Sequence, residues 1–373
     1  MNAKKVYMII FLLGIFYVFA NFIVKSVGTK LSGETPEYKS AEEAIEDSFP
    51  QKAAVREFYG LVNRVLSPNE IDRTVKDDDG YLRQIVMYNY DEEKAIANIT
   101  ELRDVCTESG AGFAYVSFPS KNDGTDVGTV YGIDSNSESM RKALHNGLRE
   151  NGIEVLDIRE KMEYSGLEGK DIFYKTDHHW NTKAGLFAAE QIARFLREKG
   201  YNTSPENLGG EKFTYNDYPN SWFGETGRKY SLKWVGALDD FTVIRPNYET
   251  SFDYSVPGSF DTSGDFSIFI FDGLFDSGYN LYDVSLHYSY MSFAGQINLI
   301  RNNYMPEGAK VLIVNDSFSM VTAPFLALSC GEVDLWDVRN NPESLYEHIR
   351  NSDYDIVLIA YTDYFMDEMY DFS

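Results

Sequence analysis

Near the C-terminus, three short apolar segments alternate with stretches of helical length, and this pattern restricts the possible folds most. The apolar segments are residues 311–314, 333–336 and 355–360. Strands separated by helices of this length predict parallel pairing with right-handed crossovers. Function in such sheets collects at the carboxyl ends of the strands. The loops that follow the three strands are residues 315–319, 337–340 and 361–364.

An amphipathic helix is predicted over 92–108. The same alternation begins directly after it, where predicted strands over 112–118 and 153–157 flank a predicted helix over 137–151. Residues 201–303 differ, because they are rich in Tyr, Phe, Gly, Asp and Ser and have few long apolar runs. Two segments in that region, 241–244 and 266–271, are typical of antiparallel strands. The region either supplies aromatic stacking platforms for a ligand or is an insertion with its own core.

The N-terminus predicts an exported protein. Lys4 and Lys5 precede an apolar run over residues 6–24, which is just long enough to span a bilayer as a helix. We favour an uncleaved signal anchor, a single-pass transmembrane helix over residues 1–27, because apolar residues continue past Ala20. A cleaved secretory signal is the alternative. With either, the chain from residue 30 onward lies outside the cytoplasm.

The composition excludes two classes of protein. Hydrophobic residues make up 43% of the chain, which is too much for a disordered protein. The net charge is −24 and no basic cluster stands out, so nucleic acid is not an expected partner. The two cysteines, Cys106 and Cys330, either pair outside the cytoplasm or are buried thiols, and their spacing is not that of a zinc site.

Residues 174–181 lead into a predicted helix over 182–197, in which apolar residues recur at helical spacing. Asn181 or Thr182 is expected to cap its first turn. Three ionisable side chains and an indole therefore crowd the start of this helix: Asp177, His178, His179 and Trp180. The simpler alternative is a polar helix entry with surface histidines.

Ser317 is the candidate nucleophile. It lies just after the predicted strand over 311–314 and opens a helix, which directs its hydroxyl away from the sheet. Amides at the start of such a helix can face a developing oxyanion. An imidazole as base and a carboxylate to orient it would complete a catalytic triad. The alternative is that Asp316 and Ser317 only cap the helix.

A metal site is a third interpretation of the same residues. Its ligands would be Asp177, His178, His179 and His287. Adjacent histidines seldom bind one metal ion together, and the sequence offers no further ligand cluster nearby. We therefore expect neither a metal nor another cofactor.

Residues 175–180, Lys-Thr-Asp-His-His-Trp, resemble the signature of the DHHW family, relatives of the alginate O-acetyltransferase proteins with an SGNH-hydrolase-like fold. The similarity extends over roughly residues 100–373. Further matching segments are 118–121, 223–227, 311–324 and 354–361. The resemblance implies a flavodoxin-like, three-layer α/β fold with a parallel sheet and a permuted motif order. The chain then divides into the anchor (1–27), a tether with a membrane-proximal helical segment (28–100), and a catalytic domain (101–373) with a β- and aromatic-rich insertion around 201–303.

The resemblance also implies roles for individual residues. Ser317 is the nucleophile, His179 the base and Asp177 the carboxylate that orients it, while His178 is the alternative base. The residues expected to support the triad or to bind the oxyanion are His178, Arg339, Asp316 and Trp180.

Two departures from ordinary SGNH hydrolases concern the oxyanion. Asn315 stands where those enzymes have Gly, and residues 361–363 stand where they have Gly-x-Asn-Asp, so the usual oxyanion-binding Asn is missing. Arg339 is a cationic substitute, either for the oxyanion or for an acidic sugar. The alternative is that Arg339 forms a surface ion pair.

The function implied by the resemblance is transfer of an acetyl group to an exported polysaccharide through an acetyl-enzyme. A membrane-bound O-acyltransferase is the implied supplier of acetyl groups. If water accepts the acetyl group, the protein is a carbohydrate O-acetyl esterase. The alternative outside enzymes is an inactive glycan-binding or assembly factor, which the departures at Asn315 and Thr362 favour.

Overall fold

The computed structural model describes residues 16–17, 52–86, 89–122, 136–167, 169–273, 281–282, 284–291, 297–339, 341, 343–362 and 366–372. The anchor predicted over residues 1–27 lies outside the described residues, apart from residues 16 and 17, and so does the start of the tether. Within the described ranges, no helix is both long and apolar enough to cross a membrane.

The α-helices of the described residues range from four to 17 residues in length. In chain order they are α1 (Lys52–Leu66), α2 (Glu92–Glu108), α3 (Ser137–Glu150), α4 (Ile158–Glu163), α5 (Gly169–Ile172), α6 (Thr182–Glu198), α7 (Glu225–Tyr230), α8 (Leu232–Val235), α9 (Ser319–Ala327) and α10 (Leu345–Arg350). Single 3-10 turns occupy Pro205–Leu208, Gly210–Lys212, Phe266–Phe269, Leu286–Ser289 and Asp367–Tyr370. The helices predicted over 92–108 and 182–197 are thereby confirmed as α2 and α6.

The strands form one large sheet and two small ones. In chain order they are β1 (Glu70–Ile71), β2 (Thr74–Lys76), β3 (Leu82–Gln84), β4 (Gly112–Ser117), β5 (Val155–Asp157), β6 (Phe213–Trp222), β7 (Asp239–Pro246), β8 (Phe252–Val256), β9 (Phe260–Gly264), β10 (Asn298–Asn302), β11 (Lys310–Asn315), β12 (Glu332–Trp336) and β13 (Ile356–Tyr361). The large sheet has the order β5-β4-β13-β11-β12-β10-β8-β9, β1–β3 form a three-stranded sheet, and β6 pairs with β7.

The central sheet is mixed, which corrects the prediction of a parallel sheet. Its first five strands, from β5 to β12, run in parallel as the sequence predicts. The chain then reverses, because β10 pairs antiparallel with β12 and places Asn298 opposite Leu335. Strands β8 and β9 continue in antiparallel fashion. The start of β10 therefore lies at the same edge as the carboxyl end of β12.

Much of the aromatic-rich region belongs to the main core. Buried side chains of β8 and β10, such as Phe252, Tyr254 and Ile300, belong to the same hydrophobic core as Ala114 of β4 and Ile313 of β11. The region extends the central sheet by three strands. The strands of the region are therefore part of the main core, whereas Phe223, Tyr230 and Trp234 form a second, smaller cluster with Ile71 and Leu82.

The prediction of a strand over residues 266–271 is wrong, because the structure has the 3-10 turn Phe266–Phe269 there. The Asp265 carboxylate caps this turn by accepting a hydrogen bond of 2.9 Å from the Ser267 amide. Phe266 and Phe269 are buried in the main core. A side-chain cap and two buried rings therefore outweigh the strand propensity of this segment.

Helices α6 and α9 pack against each other and bring the two candidate loops together, because each helix follows one of those loops. All nine residues of α9 are buried, so the helix is covered on every side. At the helix contact, Gly185 of α6 faces Val321 of α9. A Cβ at position 185 would lie 2.7 Å from Val321 Cγ2 and 3.1 Å from the Val321 carbonyl oxygen.

Both cysteines are buried and free. Cys106 lies in α2, whereas Cys330 lies just before β12, and neither forms a disulfide. Burial raises the pKa of the Cys106 thiol to about 12, and it also raises the pKa of the Cys330 thiol. The structure therefore supports buried thiols and not the disulfide.

We expect the Gly185→Ala variant to unfold more easily than the wild type. Alanine is favoured over glycine within a helix, but here its methyl group meets a neighbouring backbone, and overpacking of this kind costs about 1–3 kcal/mol. Urea unfolding followed by tryptophan fluorescence measures the change.

The matched control is Gly147→Ala in α3, where a Cβ would overlap the terminal Cδ1 atom of the Ile96 side chain, which can move aside. We expect that variant to be as stable as the wild type or slightly more stable. Equal destabilisation of both variants would contradict tight packing between α6 and α9.

Candidate active site

Two loops that are distant in the sequence meet at the carboxyl edge of the sheet. Ser317 follows β11, and its Oγ lies 2.8 Å from Nε2 of His179, 138 positions earlier in the chain. Nδ1 of the same imidazole lies 2.7 Å from Oδ1 of Asp177. The structure therefore brings the three predicted triad residues into one hydrogen-bonded chain.

The Asp177 carboxylate is fully buried, and protein groups bind both of its oxygens. Oδ1 also accepts a hydrogen bond of 3.0 Å from the His179 amide, and Oδ2 accepts one of 2.6 Å from the Glu225 amide. Burial alone would raise the pKa of Asp177, but the imidazoles of His179 and His178 and the hydrogen bonds from His179 hold it well below the ordinary value. The carboxylate is therefore ionised.

The protonation of the His179 imidazole follows from its partners. An ionised carboxylate only accepts hydrogen bonds, so Nδ1 carries the proton and Nε2 presents a lone pair to the Ser317 hydroxyl. Burial, then His287 and His178, lower the pKa of His179 well below the ordinary histidine value of 6.5, although Asp177 opposes this shift. The ring is therefore neutral and oriented to accept a proton.

A second buried histidine stacks on the first. The rings of His287 and His179 lie 3.6 Å apart between centroids and are nearly parallel, at 12°. His287 Nε2 lies 2.8 Å from the Ser317 carbonyl oxygen, which can only accept, so this nitrogen donates. Burial lowers the pKa of His287 to about 4. A neutral ring thus fixes both the base and the backbone of the nucleophile.

His178 lies on the outer side of the same stack. Its ring is 3.8 Å from that of His179, and a quarter of its side chain is exposed. Its Nδ1 is 3.7 Å from the Asp177 carboxylate, whereas His179 is at hydrogen-bonding distance from both Asp177 and Ser317. The geometry therefore favours His179 over His178 as the base.

Lys121 holds the loop that carries Asp177 and His179. Its ammonium group is buried and donates hydrogen bonds to three carbonyl oxygens of that loop, those of Tyr174 (3.0 Å), Lys175 (3.2 Å) and Asp177. Burial lowers the pKa of Lys121 to about 8, against the opposing effect of nearby carboxylates. Lys121 lies in the matching segment 118–121, but no role was predicted for it from the sequence.

Asp239 holds the same loop through its amides. Its carboxylate accepts hydrogen bonds from the backbone nitrogens of Lys175 and Thr176 and one of 2.6 Å from the Thr176 hydroxyl. The Thr176 hydroxyl oxygen in turn accepts a hydrogen bond of 2.6 Å from the Gly224 amide. Asp239 was not predicted as a site residue, because a single carboxylate 63 positions from Thr176 forms no local sequence pattern.

The predicted support residues Asp316 and Trp180 both contact the turn around the nucleophile. Asp316 accepts hydrogen bonds from the Phe318 amide (2.9 Å) and from the amide and hydroxyl of Thr362 (2.6 and 2.7 Å). The Trp180 indole donates to the Phe318 carbonyl oxygen at 3.1 Å. Burial raises the pKa of Asp316 although these hydrogen bonds oppose it. These contacts tie Ser317 to β13 and to the start of α6.

Arg339 forms the ion pair that the sequence analysis left as an alternative. Its guanidinium donates to both carboxylate oxygens of Asp337, at 2.9 and 2.6 Å. This pair raises the pKa of Arg339, so the group stays cationic. The positive charge of Arg339 opposes the rise in the pKa values of Asp316 and of the half-buried Tyr288.

Three possible metal ligands, Asp177, His178 and His179, have donor atoms within 4.8 Å of one another. Both ring nitrogens of His179 already face protein partners, however. A metal bound to His179 would have to displace either Asp177 or Ser317 from the ring. The arrangement is therefore better suited to proton transfer than to metal binding.

Exposure distinguishes Ser317 from its surroundings. Every residue from 311 to 331 is buried except Ser317, which is partly exposed. A solute that approaches this part of the sheet therefore meets the candidate nucleophile, with its hydrogen-bonded imidazole behind it.

The α/β fold with its mixed central sheet is similar to that of SGNH-hydrolase-like proteins. Residues 85–234 match the family described as ALGX, SGNH hydrolase-like domain, acetyltransferase AlgX. Bacillus cereus PatB1, solved with a sulfonyl adduct, is similar in structure, with a TM-score of 0.60 and 17% identity over 79% of this chain and 98% of PatB1. A DHHW family protein from Eubacterium siraeum has a TM-score of 0.56 and 15% identity over 79% of this chain and 92% of its own. No curated protein matches in sequence. The predicted resemblance is confirmed.

We expect Gly224→Ala to disrupt the candidate site. A Cβ at Gly224 would lie 2.5 Å from the Asp177 nitrogen and 2.6 Å from its Cα, so the loop would have to move. The Glu225 amide would then lose Asp177, and overpacking of this kind costs about 1–3 kcal/mol. A lower midpoint of urea unfolding, together with a changed His179 ring signal in NMR spectra, is the expected result.

Gly210→Ala is the control, because a Cβ there meets only Tyr215 Oη at an ordinary 3.5 Å. It should unfold as the wild type does and keep the His179 signal. An unchanged His179 signal in Gly224→Ala would contradict the tight contact between α7 and the loop.

Proposed function

We propose that this protein is an O-acetyltransferase that works through an acetyl-enzyme on Ser317 and acts on an exported polysaccharide. The observation that carries the proposal is the hydrogen-bonded chain from the Ser317 hydroxyl through His179 to Asp177. Its end that faces solvent is the hydroxyl, and its buried end is an ionised carboxylate. The family description, which includes an acetyltransferase, supports acetyl as the transferred group.

In the first step, Ser317 Oγ attacks the carbonyl carbon of an acetyl ester while His179 Nε2 takes the hydroxyl proton. Asp177 stabilises the imidazolium that forms, because it is anionic and bound to Nδ1. The C–O bond of the ester then breaks, and His179 returns the proton to the departing alcohol. The products are an acetyl-serine and the deacetylated donor.

In the second step, an acceptor hydroxyl takes the place of the departed alcohol. His179 removes its proton, the acceptor oxygen attacks the acetyl-serine, and the proton passes to Ser317 Oγ as the acyl bond breaks. The acceptor leaves as an acetyl ester and the serine is free again. If water is the acceptor, the same residues perform ester hydrolysis in the same roles.

His287 contributes to both steps in this proposal as a positioning residue. It holds the Ser317 carbonyl oxygen and lies flat against the base, so the nucleophile and the imidazole cannot separate without breaking one of these contacts. Its pKa of about 4 keeps it uncharged, which avoids repulsion when His179 becomes cationic.

The acceptor and the location extend the proposal beyond the site. The ring of Tyr288 lies 6.4 Å from that of His179, and in this proposal it binds an acidic sugar together with the Arg339 cation. We further propose that the chain is anchored in the cell membrane by residues 1–27, with the domain outside the cytoplasm. A membrane-bound O-acyltransferase would supply the acetyl groups there.

Covalent labelling tests the nucleophile. We expect a sulfonyl fluoride and p-nitrophenyl acetate to modify Ser317, and mass spectrometry to locate the adduct on the peptide that contains it. Ser317→Ala should lose the adduct and lower the rate of p-nitrophenyl acetate hydrolysis by about 10⁴-fold, the scale of triad substitutions.

The control for this experiment is Ser319→Ala, two positions away, whose buried hydroxyl lies without a hydrogen-bond partner among the described residues. It should retain both adduct and rate. Identical background rates in the wild type and Ser317→Ala, with no adduct on either, would instead favour the inactive glycan-binding factor.

The pH profile tests the base. His179 acts only when neutral, and its pKa is lowered, so we expect the acidic limb of kcat/KM to lie below pH 6.5. In Asp177→Asn the anion that raises this pKa is gone, so the limb should move further towards acid while the rate falls by about 10⁴-fold. A limb at or above pH 6.5 in the wild type would contradict a buried, uncharged base.

A further inference from the structure

Helix α1 presents apolar side chains to solvent along most of its length. Phe58 is 67% exposed, Val65 78% and Leu66 76%. The other large apolar residues on this face are Val55, Tyr59 and Leu61, which are 45–51% exposed. Soluble proteins rarely leave a contiguous apolar surface of this kind uncovered, and such surfaces mark contacts with a partner or a membrane.

The opposite, polar face of α1 contacts the protein. The Glu57 carboxylate accepts hydrogen bonds from the amides of Leu232 (3.3 Å) and Lys233 (3.1 Å) at the start of α8, and from the Tyr282 hydroxyl. The Arg56 guanidinium lies 5.1 Å from the centre of the Tyr282 ring. These polar contacts fix the rotation of α1 about its own axis.

Close packing supports the same orientation. Gly60 is the one residue of α1 that is fully buried among those whose burial is described, and a Cβ at this position would overlap Ser231 Oγ. An amphipathic helix on a soluble protein normally turns its apolar stripe towards the core. In α1 the apolar stripe instead faces solvent, because the contacts of Glu57 and Gly60 turn the opposite face towards the protein.

The sequence around α1 indicates what covers its apolar face. Residues 25–51 separate the apolar run over 6–24 from the helix, and a linker of that length can reach across up to ~90 Å when extended. A helix of 15 residues is ~22 Å long, so α1 is too short to span a bilayer and suits its interface.

The charge of α1 also suits a lipid surface. Arg56 and Glu57 lie on the face that contacts the protein, and the other two charged residues of its sequence, Lys52 and Arg64, are both basic, in a chain with 58 acidic and 34 basic residues. Basic residues beside an apolar stripe favour binding to anionic lipid headgroups. The helix is thus locally basic on a strongly acidic protein.

We propose that α1 lies in the interface of the membrane, with its apolar face in the lipid and its polar face holding the folded domain. This second attachment is independent of the acetyl-transfer proposal. Because Glu57 binds α8, and α7 just before it binds Asp177 through the Glu225 amide, the candidate site is held at a fixed height above the bilayer.

The full-length chain in vesicles of phosphatidylcholine and phosphatidylglycerol, three to one, tests this proposal. A Val65→Cys variant carries a single environment-sensitive fluorophore, since both native cysteines are buried. Tyr164→Cys and Tyr304→Cys, at residues that are 89% and 60% exposed, are matched controls. Unchanged unfolding midpoints verify that each variant is folded.

We expect the fluorophore at position 65 to emit at shorter wavelength and to be quenched severalfold more by spin-labelled lipid than either control. Equal quenching at the three positions would overturn the proposal. A blue-shifted fluorophore at position 65 that spin-labelled lipid does not quench would also overturn it, because protein would then cover the face. A Phe58→Ser and Val65→Ser double variant should lose the interfacial contact while its apolar N-terminal run still holds it on vesicles.

Discussion

Two buried charged side chains hold the loop that carries Asp177 and His179, one through its carbonyl oxygens and the other through its amides. The candidate site depends on these contacts. The Lys121 ammonium binds carbonyl oxygens of the loop, whereas the Asp239 carboxylate binds its amides. Burying either charge is costly unless hydrogen bonds compensate for the lost water. Each charge finds those bonds only when the loop has this conformation. Asp177 and His179 must therefore keep these positions if the two buried charges are to keep their hydrogen bonds.

The stacked imidazoles of His179 and His287 add a second constraint at the same place. A base that becomes cationic during a reaction needs an anion on one side and no cation on the other. Asp177 supplies the anion, and His287 supplies an uncharged neighbour because burial keeps its pKa near 4. The nucleophile is held by the same ring that lies against the base. Proton transfer and positioning are thus coupled through one side chain.

The features that could be predicted from the sequence are those that short, local patterns of residues encode. Helices α2 and α6 show clear periodicity, β11 is a short apolar run before a polar turn, and the triad candidates lie in two compact motifs. Lys121, Asp239 and His287 could not be assigned, because their roles arise from contacts across 30 to 63 positions. Residues 266–271 are rich in Phe and Ile, which are typical of strands, but a cap at Asp265 decides their conformation. The alternation of apolar and polar residues over β8, Phe252–Val256, was a usable sequence signal for a strand that had not been assigned.

The change of direction between β12 and β10 determines which segments can reach Ser317. A strand that enters the sheet at the active edge brings its preceding residues to that edge, whereas another parallel strand would leave them on the far side. Because β10 enters there, the turn Leu286–Ser289 arrives beside the nucleophile and carries His287 with it. One reversed strand thus adds a segment that begins a strand to the segments that end strands at this edge.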